Sequence, residues 1–232
     1  MNYLTFISEK LKSFKILGAT VFDNYATLTS EKVYPNWLSW GHWTYKAMNE
    51  DEISKLELEI KMNIHEGYKY FLRQTNGINI YRSALCLFGT VIDYNTSKRI
   101  LFPPFDLVDA NEYRFNFGER PVQLSDDIVV IGGYGKDGSK IGILGSNGKV
   151  VRFDKKSLEV YNEWNSFETF FVSEFERLSG LFNTDGIIKD SEIPTTPTQA
   201  TKPENCQTNL IRTDDYTFYK KPVRVKSKRD EW

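Results

Sequence analysis

Leu4, Ile7, Leu11 and Phe14 recur at steps of three and four, and Gly18 follows them. Such spacing lays one apolar stripe along a helix and then stops it. It predicts an amphipathic amino-terminal helix that docks on the rest of the chain. Residues 19–34 read as extended, with Val21, Tyr25, Leu28 and Val33 separated by polar positions. Asn49 with Glu52 three places on has the form of a capping box. The helix it opens buries Ile53, Leu56 and Ile60. A second helix runs through Tyr68, Phe71, Leu72 and Thr75, and Asn76-Gly77 ends it with residues suited to positive φ. Ala84 to Asp93 reads as a strand.

Further on, Asp106 is placed to cap a short helix containing Leu107, Val108 and Tyr113, with Asn111 in its middle. Ile128-Val129-Val130-Ile131, Lys140 to Leu144 and Val150 to Phe153 are strand candidates. Ser146-Asn147-Gly148-Lys149 between the last two predicts a hairpin with a type I′ turn. A final helix opens at Asn165-Ser166-Phe167-Glu168, read as a second capping box. It carries Phe167, Phe170, Phe171, Phe175 and Leu178 on one face and ends at Gly180. Helices, a strand, a short helix, a strand meander and a helix make an α+β order. No internal repeat is evident. The expected organisation is a lead-in over 1–36, one α+β domain over 37–189, and a low-complexity linker with a basic, aromatic tail over 190–232.

Composition removes more functions than it offers. The chain has 232 residues, of which 40% are hydrophobic, enough for a core. Lys and Arg number 30 against 31 Asp and Glu. Residues 191–232 hold 8 basic and 6 acidic residues, which leaves 22 against 25 before them. Neither half has the charge that nucleic acid or an anionic membrane would require. Direct nucleic-acid binding is therefore not expected, although Tyr216, Phe218 and Tyr219 beside the tail's lysines resemble a single-strand stacking site. Two distant cysteines, Cys86 and Cys206, are no disulfide framework. With no signal-peptide pattern and no long apolar run, a cytoplasmic location is the expectation.

Three motifs test the chain for chemistry. Gly133-Tyr134-Gly135-Lys136-Asp137-Gly138 spells a dinucleotide fingerprint directly after a strand. A fingerprint must open a helix whose amino terminus receives the pyrophosphate. Here a second strand follows, so the glycines belong to a turn. His42 and His65, the two histidines, are not at metal-binding spacing, and no cysteine pair exists. No G-x-S-x-G occurs. No metal, cofactor or catalytic residue is expected. Trp37, Trp40 and Trp43 fall within seven positions. They form either a packed satellite cluster or an aromatic binding surface, since Trp is enriched at interface hot spots.

Several stretches taken together resemble the SUKH superfamily, whose members include Smi/Knr-like cell-wall regulators and bacterial immunity proteins. They are Asn49–Ile53 with Leu56-Glu57, Gly67–Leu72 followed by Asn76-Gly77, Asp106–Glu112, Ile131–Gly138, and Ser166–Phe171. The likeness spans Trp37 to Leu181, with Ile64-His65 where Leu-Pro is usual. It implies an antiparallel sheet flanked by helices, and an immunity protein that neutralises a cognate toxin, often a nuclease, by steric sequestration. The alternative it carries is a regulatory scaffold with several protein partners. Candidate partner-binding residues are Trp37, Trp40, Trp43, Asn76, Asp106, Asn111 and Asp137. Each also has a structural reading, as a cap, a turn residue or a packed ring.

Overall fold

The structure is a computed structural model that describes residues 1–13, 18–21, 27–29, 41–91, 104–112, 120–184, 187–199 and 210–211. It is an α+β domain. Among the described residues one sheet has nine strands in chain order, each antiparallel to its neighbour. These are β1 (Ala19–Val21), β2 (Thr27–Thr29), β3 (His42–Thr44), β4 (Ile78–Ile80), β5 (Leu85–Leu87), β6 (Ile128–Gly133), β7 (Lys140–Leu144), β8 (Val150–Phe153) and β9 (Val160–Trp164). The helices are α1 (Tyr3–Lys10), α2 (Glu50–Ile60), α3 (Glu66–Leu72), α4 (Leu107–Asn111) and α5 (Phe167–Leu181).

Helix α1 docks in cis on the predicted face at Ile7 and Leu11, with Tyr3 buried in place of Leu4. Tyr3, Ile7 and Leu11 are buried, whereas Leu4 is 41% exposed. Phe14 lies outside the described residues. Tyr3 sets its ring edge-on to Tyr70, Phe71, Phe167 and Phe171, and that aromatic gain favours Tyr3 over Leu4 as the first buried position. The same rings join α1, α3 and α5 into one core layer, with Phe6 against Phe171 and Phe175.

The predicted capping box of α2 is present, Asn49 Oδ1 accepting from Glu52 N at 2.9 Å and Glu52 from Asn49 N at 2.7 Å. That of α5 is not. Its cap is Ser166, one residue later than Asn165, and it accepts from Thr169 N at 3.1 Å. Phe167 must face the core, and this fixes where the helix begins. Gly180 lies inside α5, which runs on to Leu181. His65 caps α3, Nδ1 accepting from Gly67 N at 3.1 Å, so it serves where a Leu-Pro step would otherwise start the helix.

The carboxy-terminal half of the sheet repeats one loop at intervals of ten residues. Tyr134, Leu144 and Asp154 each donate N–H to the carbonyl five residues on, at 2.9–3.0 Å. Each also accepts, on its own carbonyl, the amide of the residue four places on. That fourth residue has positive φ in all three: Gly138 at 71°, Gly148 at 72° and Leu158 at 58°. A polar side chain braces every loop, Asp137 to Ser139 N, Asn147 to Lys149 N, and Asp154 to Lys156 N. The predicted hairpin thus forms, but on a four-residue loop. Asn147 keeps negative φ, so it is not a type I′ turn. The glycine motif occupies the first of these loops, between antiparallel β6 and β7.

Two features have no counterpart in the sequence pattern. Tyr81, Arg82 and Ser83 take consecutive positive φ values of 49°, 57° and 65° between β4 and β5. Left-handed backbone costs an L-residue about 1–2 kcal/mol. Asn79 offsets it by accepting from Ser83 N at 2.8 Å and donating to Ser83 Oγ at 2.9 Å. Tyr81 is also anchored, its ring stacked on Phe182 at 4.8 Å. Secondly, part of the low-complexity stretch lies against the domain. Ser125 N donates to Leu210 O at 2.7 Å, and the carbonyls of Thr195, Pro197 and Thr198 accept from side chains of the sheet and α5.

Candidate partner-binding surface

Strand β6 is six residues long and its neighbour β5 only three, so β6 outruns its partner. Buried strand edges must still find hydrogen-bond partners. Phe88 N donates to Ile131 O at 2.8 Å, after which, among the described residues, no strand continues on the side of β6 away from β7. Asn111 takes over. Its Oδ1 accepts from Val130 N at 2.8 Å and its Nδ2 donates to Val130 O at 2.8 Å and to Leu107 O at 2.9 Å. Arg120, buried, continues the row by donating to Ile128 O at 2.7 Å and to Asn111 Oδ1 at 3.2 Å. A side-chain amide and a guanidinium stand in for a strand.

Asn76 pairs with main chain in the same way beside the Gly89–Asp106 bridge that precedes α4. Its Nδ2 donates to Thr90 O at 2.7 Å and its Oδ1 accepts from Thr90 N at 2.8 Å. Two glycines make room. A Cβ on Gly89 would lie 2.2 Å from both the carbonyl and Oδ1 of Asn76, and one on Gly77, at φ 87°, would lie 2.8 Å from Gly89 N. Helix α3 ends at Leu72, so Asn76 serves the fold by its side chain and Gly77 by its backbone. Asp106 completes the group. It caps α4 through Val108 N at 2.9 Å, accepts from Thr90 Oγ1 at 3.4 Å, and follows the contact of Gly89 with Phe105 and Leu107.

Three of the candidate residues thus belong to one unit, the clip that holds α4 to the sheet. Asp137 is separate. It sits in the β6–β7 loop, its Oδ1 accepting from Ser139 N and Oγ and its Oδ2 from Arg152 at 2.5 Å. Partial burial pushes its carboxyl upward, but the Ser139 and Arg152 hydrogen bonds outweigh this and leave it below the usual range. Trp43 lies on β3 opposite Leu28 and Asn79. Trp37 and Trp40 lie outside the described residues.

Sequence reasoning missed Arg152, which is 2% exposed on β8. Its guanidinium lies between the rings of Tyr134 and Tyr161, 5.2 and 5.1 Å from their centroids. An arginine flanked by Val151 and Phe153 looks like an ordinary outward position, and nothing local marks it. Cys86 is buried, and burial pushes its thiol up to about 12, as an inert core thiol requires. Among the described residues no three His, Cys, Asp or Glu side chains gather to hold a metal, and no helix is long and apolar enough to cross a membrane.

The profile of the SMI1 / KNR4 family (SUKH-1) matches residues 47–173, more than half of the chain. The chain belongs to that family. The SUKH-1 match starts just before α2 and ends inside α5, so it contains the α4 clip, the three repeated loops, and Asn76, Asp106, Asn111 and Asp137. It leaves out α1, β1 to β3 with Trp43, and everything after Ser173. The sequence likeness traced from Trp37 to Leu181 is correspondingly shortened at both ends. A comparison with curated proteins finds no match.

Proposed function

We propose that this SUKH-1 chain is a non-catalytic immunity module that neutralises a cognate toxin by covering its active surface. Membership of the family carries the reading, since it supports protein binding in an immunity or regulatory role. The binding face we assign is the end of the sheet where two rigid turns meet. Gly135 N donates to Ser83 O at 3.0 Å, joining the left-handed turn 81–83 to the first repeated loop. Arg82, Lys136 and Asp137 are exposed there. Preorganised loops lose little entropy on binding. In this reading Asp137 contacts the partner directly and the tryptophans Trp37, Trp40 and Trp43 add apolar area. Asn76, Asp106 and Asn111 act by holding the framework. An interface of roughly 800 Å² per partner is enough to block an enzyme's active site.

Co-expression tests it. A toxic product encoded beside this gene should be lethal alone and tolerated with this chain, and Arg82→Glu with Lys136→Glu should remove the rescue while leaving the fold intact. Lethality undiminished by soluble wild-type chain sinks the reading. The second reading, a regulator with several partners, draws on the tail, because the SUKH-1 match ends at residue 173 and the basic, aromatic stretch lies far beyond it. Removal of 212–232 separates the two. Residues 195–198 and 210–211 are docked and must stay. Loss of every partner on that truncation favours the regulator.

A further inference from the structure

Three side chains from three elements donate to the main chain of one short proline-containing segment. Arg177 of α5 reaches Thr195 O at 2.8 Å, Arg152 of β8 reaches Pro197 O at 2.7 Å, and Asn162 of β9 reaches Thr198 O at 2.9 Å. All three acceptors are backbone carbonyls.

The donors are also held by partners outside the segment. Arg177 is paired with the buried Glu174 at 2.7 Å, and Glu174 accepts from the Tyr134 hydroxyl at 2.7 Å. Arg152 is paired with Asp137, donates to Ser139 Oγ at 2.9 Å and to Asn162 Oδ1 at 3.0 Å, and is sandwiched by Tyr134 and Tyr161. Both cations are neutralised by carboxylates, so the row offers directed N–H groups with little net charge. A row of this kind reads main chain by hydrogen bonding, and a buried proline, which has no N–H to satisfy, suits its floor.

We infer that Arg177, Arg152 and Asn162 form a binding site for a proline-containing peptide main chain, occupied in cis by residues 195–198. The site does not depend on the toxin-binding reading above. Because it grips carbonyls around a buried proline, it accepts the same segment from a separate molecule once the cis strap lacks that proline or is loosened. Tethering gives that strap an effective concentration in the millimolar range, which competes with any ligand in trans.

The probe is a fluorescein-labelled peptide with the sequence of residues 190–199, followed by anisotropy against the full chain and against a full chain whose residues 193–198 are replaced by alternating Gly and Ser. The strap-replaced chain should bind the peptide at least about ten-fold more tightly than wild type. Asn162→Ala in that background should reverse the gain. A strap-replaced chain that still unfolds cooperatively yet binds no peptide overturns the inference, as does binding indifferent to Asn162→Ala. If the replacement prevents folding, Thr195→Gly with Thr198→Gly loosens the strap but keeps Pro197. Tighter peptide binding than wild type then supports the site, and unchanged binding refutes it.

Discussion

Replacing Asn111 by Ala removes the side chain that satisfies Val130 on the side of β6 away from β7, where no strand runs beside it among the described residues. Val130 N–H and C=O on that side have Asn111 as their partner, at 2.8 Å each, in a site where Asn111 is 2% exposed. A buried polar group left without a partner costs about 1–3 kcal/mol. Two such groups give about 4 kcal/mol. The bonds to Leu107 O and from Arg120 are lost as well, but Arg120 retains Ile128 O and Ser125 O, so they add little. For a domain of this size a loss of 1 kcal/mol lowers Tm by about 2–4 °C, so the expected drop is about 8–16 °C. Urea unfolding followed by far-UV circular dichroism measures the free energy, and differential scanning calorimetry the Tm. Asp109→Ala on the exposed face of the same helix is the control, with less than about 1 kcal/mol expected. A loss below about 1 kcal/mol for Asn111→Ala, with an unchanged denaturant slope, refutes the idea that this amide replaces a strand.

Three further outcomes follow from the same structure. Gly89→Ala should expel the Asn76 amide from Thr90. It should therefore destabilise by about 2–4 kcal/mol, and its effect should be clearly less than additive with Asn76→Ala in a double-mutant cycle. Burial lowers the His42 imidazole to about 3, so the folded protein keeps it neutral while the unfolded chain protonates near 6.5. The unfolded state then binds the extra proton. Stability contributed by His42 is full above pH 6.5 and falls by about 1.4 kcal/mol per unit as pH drops toward 3, a slope that His42→Asn should remove from the stability–pH curve. Cys86 should resist iodoacetamide in the folded state and react only as fast as the protein unfolds, as read from the mass of its peptide.

Elements marked by long apolar stripes or by a cap were legible in the sequence. The Asn49–Glu52 box, α3, β6 to β8 and the aromatic face of α5 all stand where pattern placed them, because burial dictates them locally. The short strands β3, β4 and β9 were not legible. They have three to five residues, and their pairing comes from register with distant segments. The ten-residue loop repeat escaped for a different reason. Gly138, Gly148 and Leu158 share a backbone conformation, but the third is not a glycine, so the full repetition lies in φ and not in sequence. At the candidate site, residue types were informative and roles were not. Asn76, Asp106 and Asn111 read as partner-binding candidates or as structural caps and turn residues, and the residue types alone do not say that their polar groups are directed at backbone. Arg152 could not be found, since its partners lie 9 to 45 positions away.

The central claim, protein binding as an immunity module, is tested most directly by the stoichiometry of what the chain captures. Affinity purification of the tagged full-length protein from its native cell, quantified by mass spectrometry, should return one partner near one-to-one. That partner should lose its toxic activity when the complex forms. Recovery of many substoichiometric partners, or of a single partner whose activity is untouched, would contradict the account.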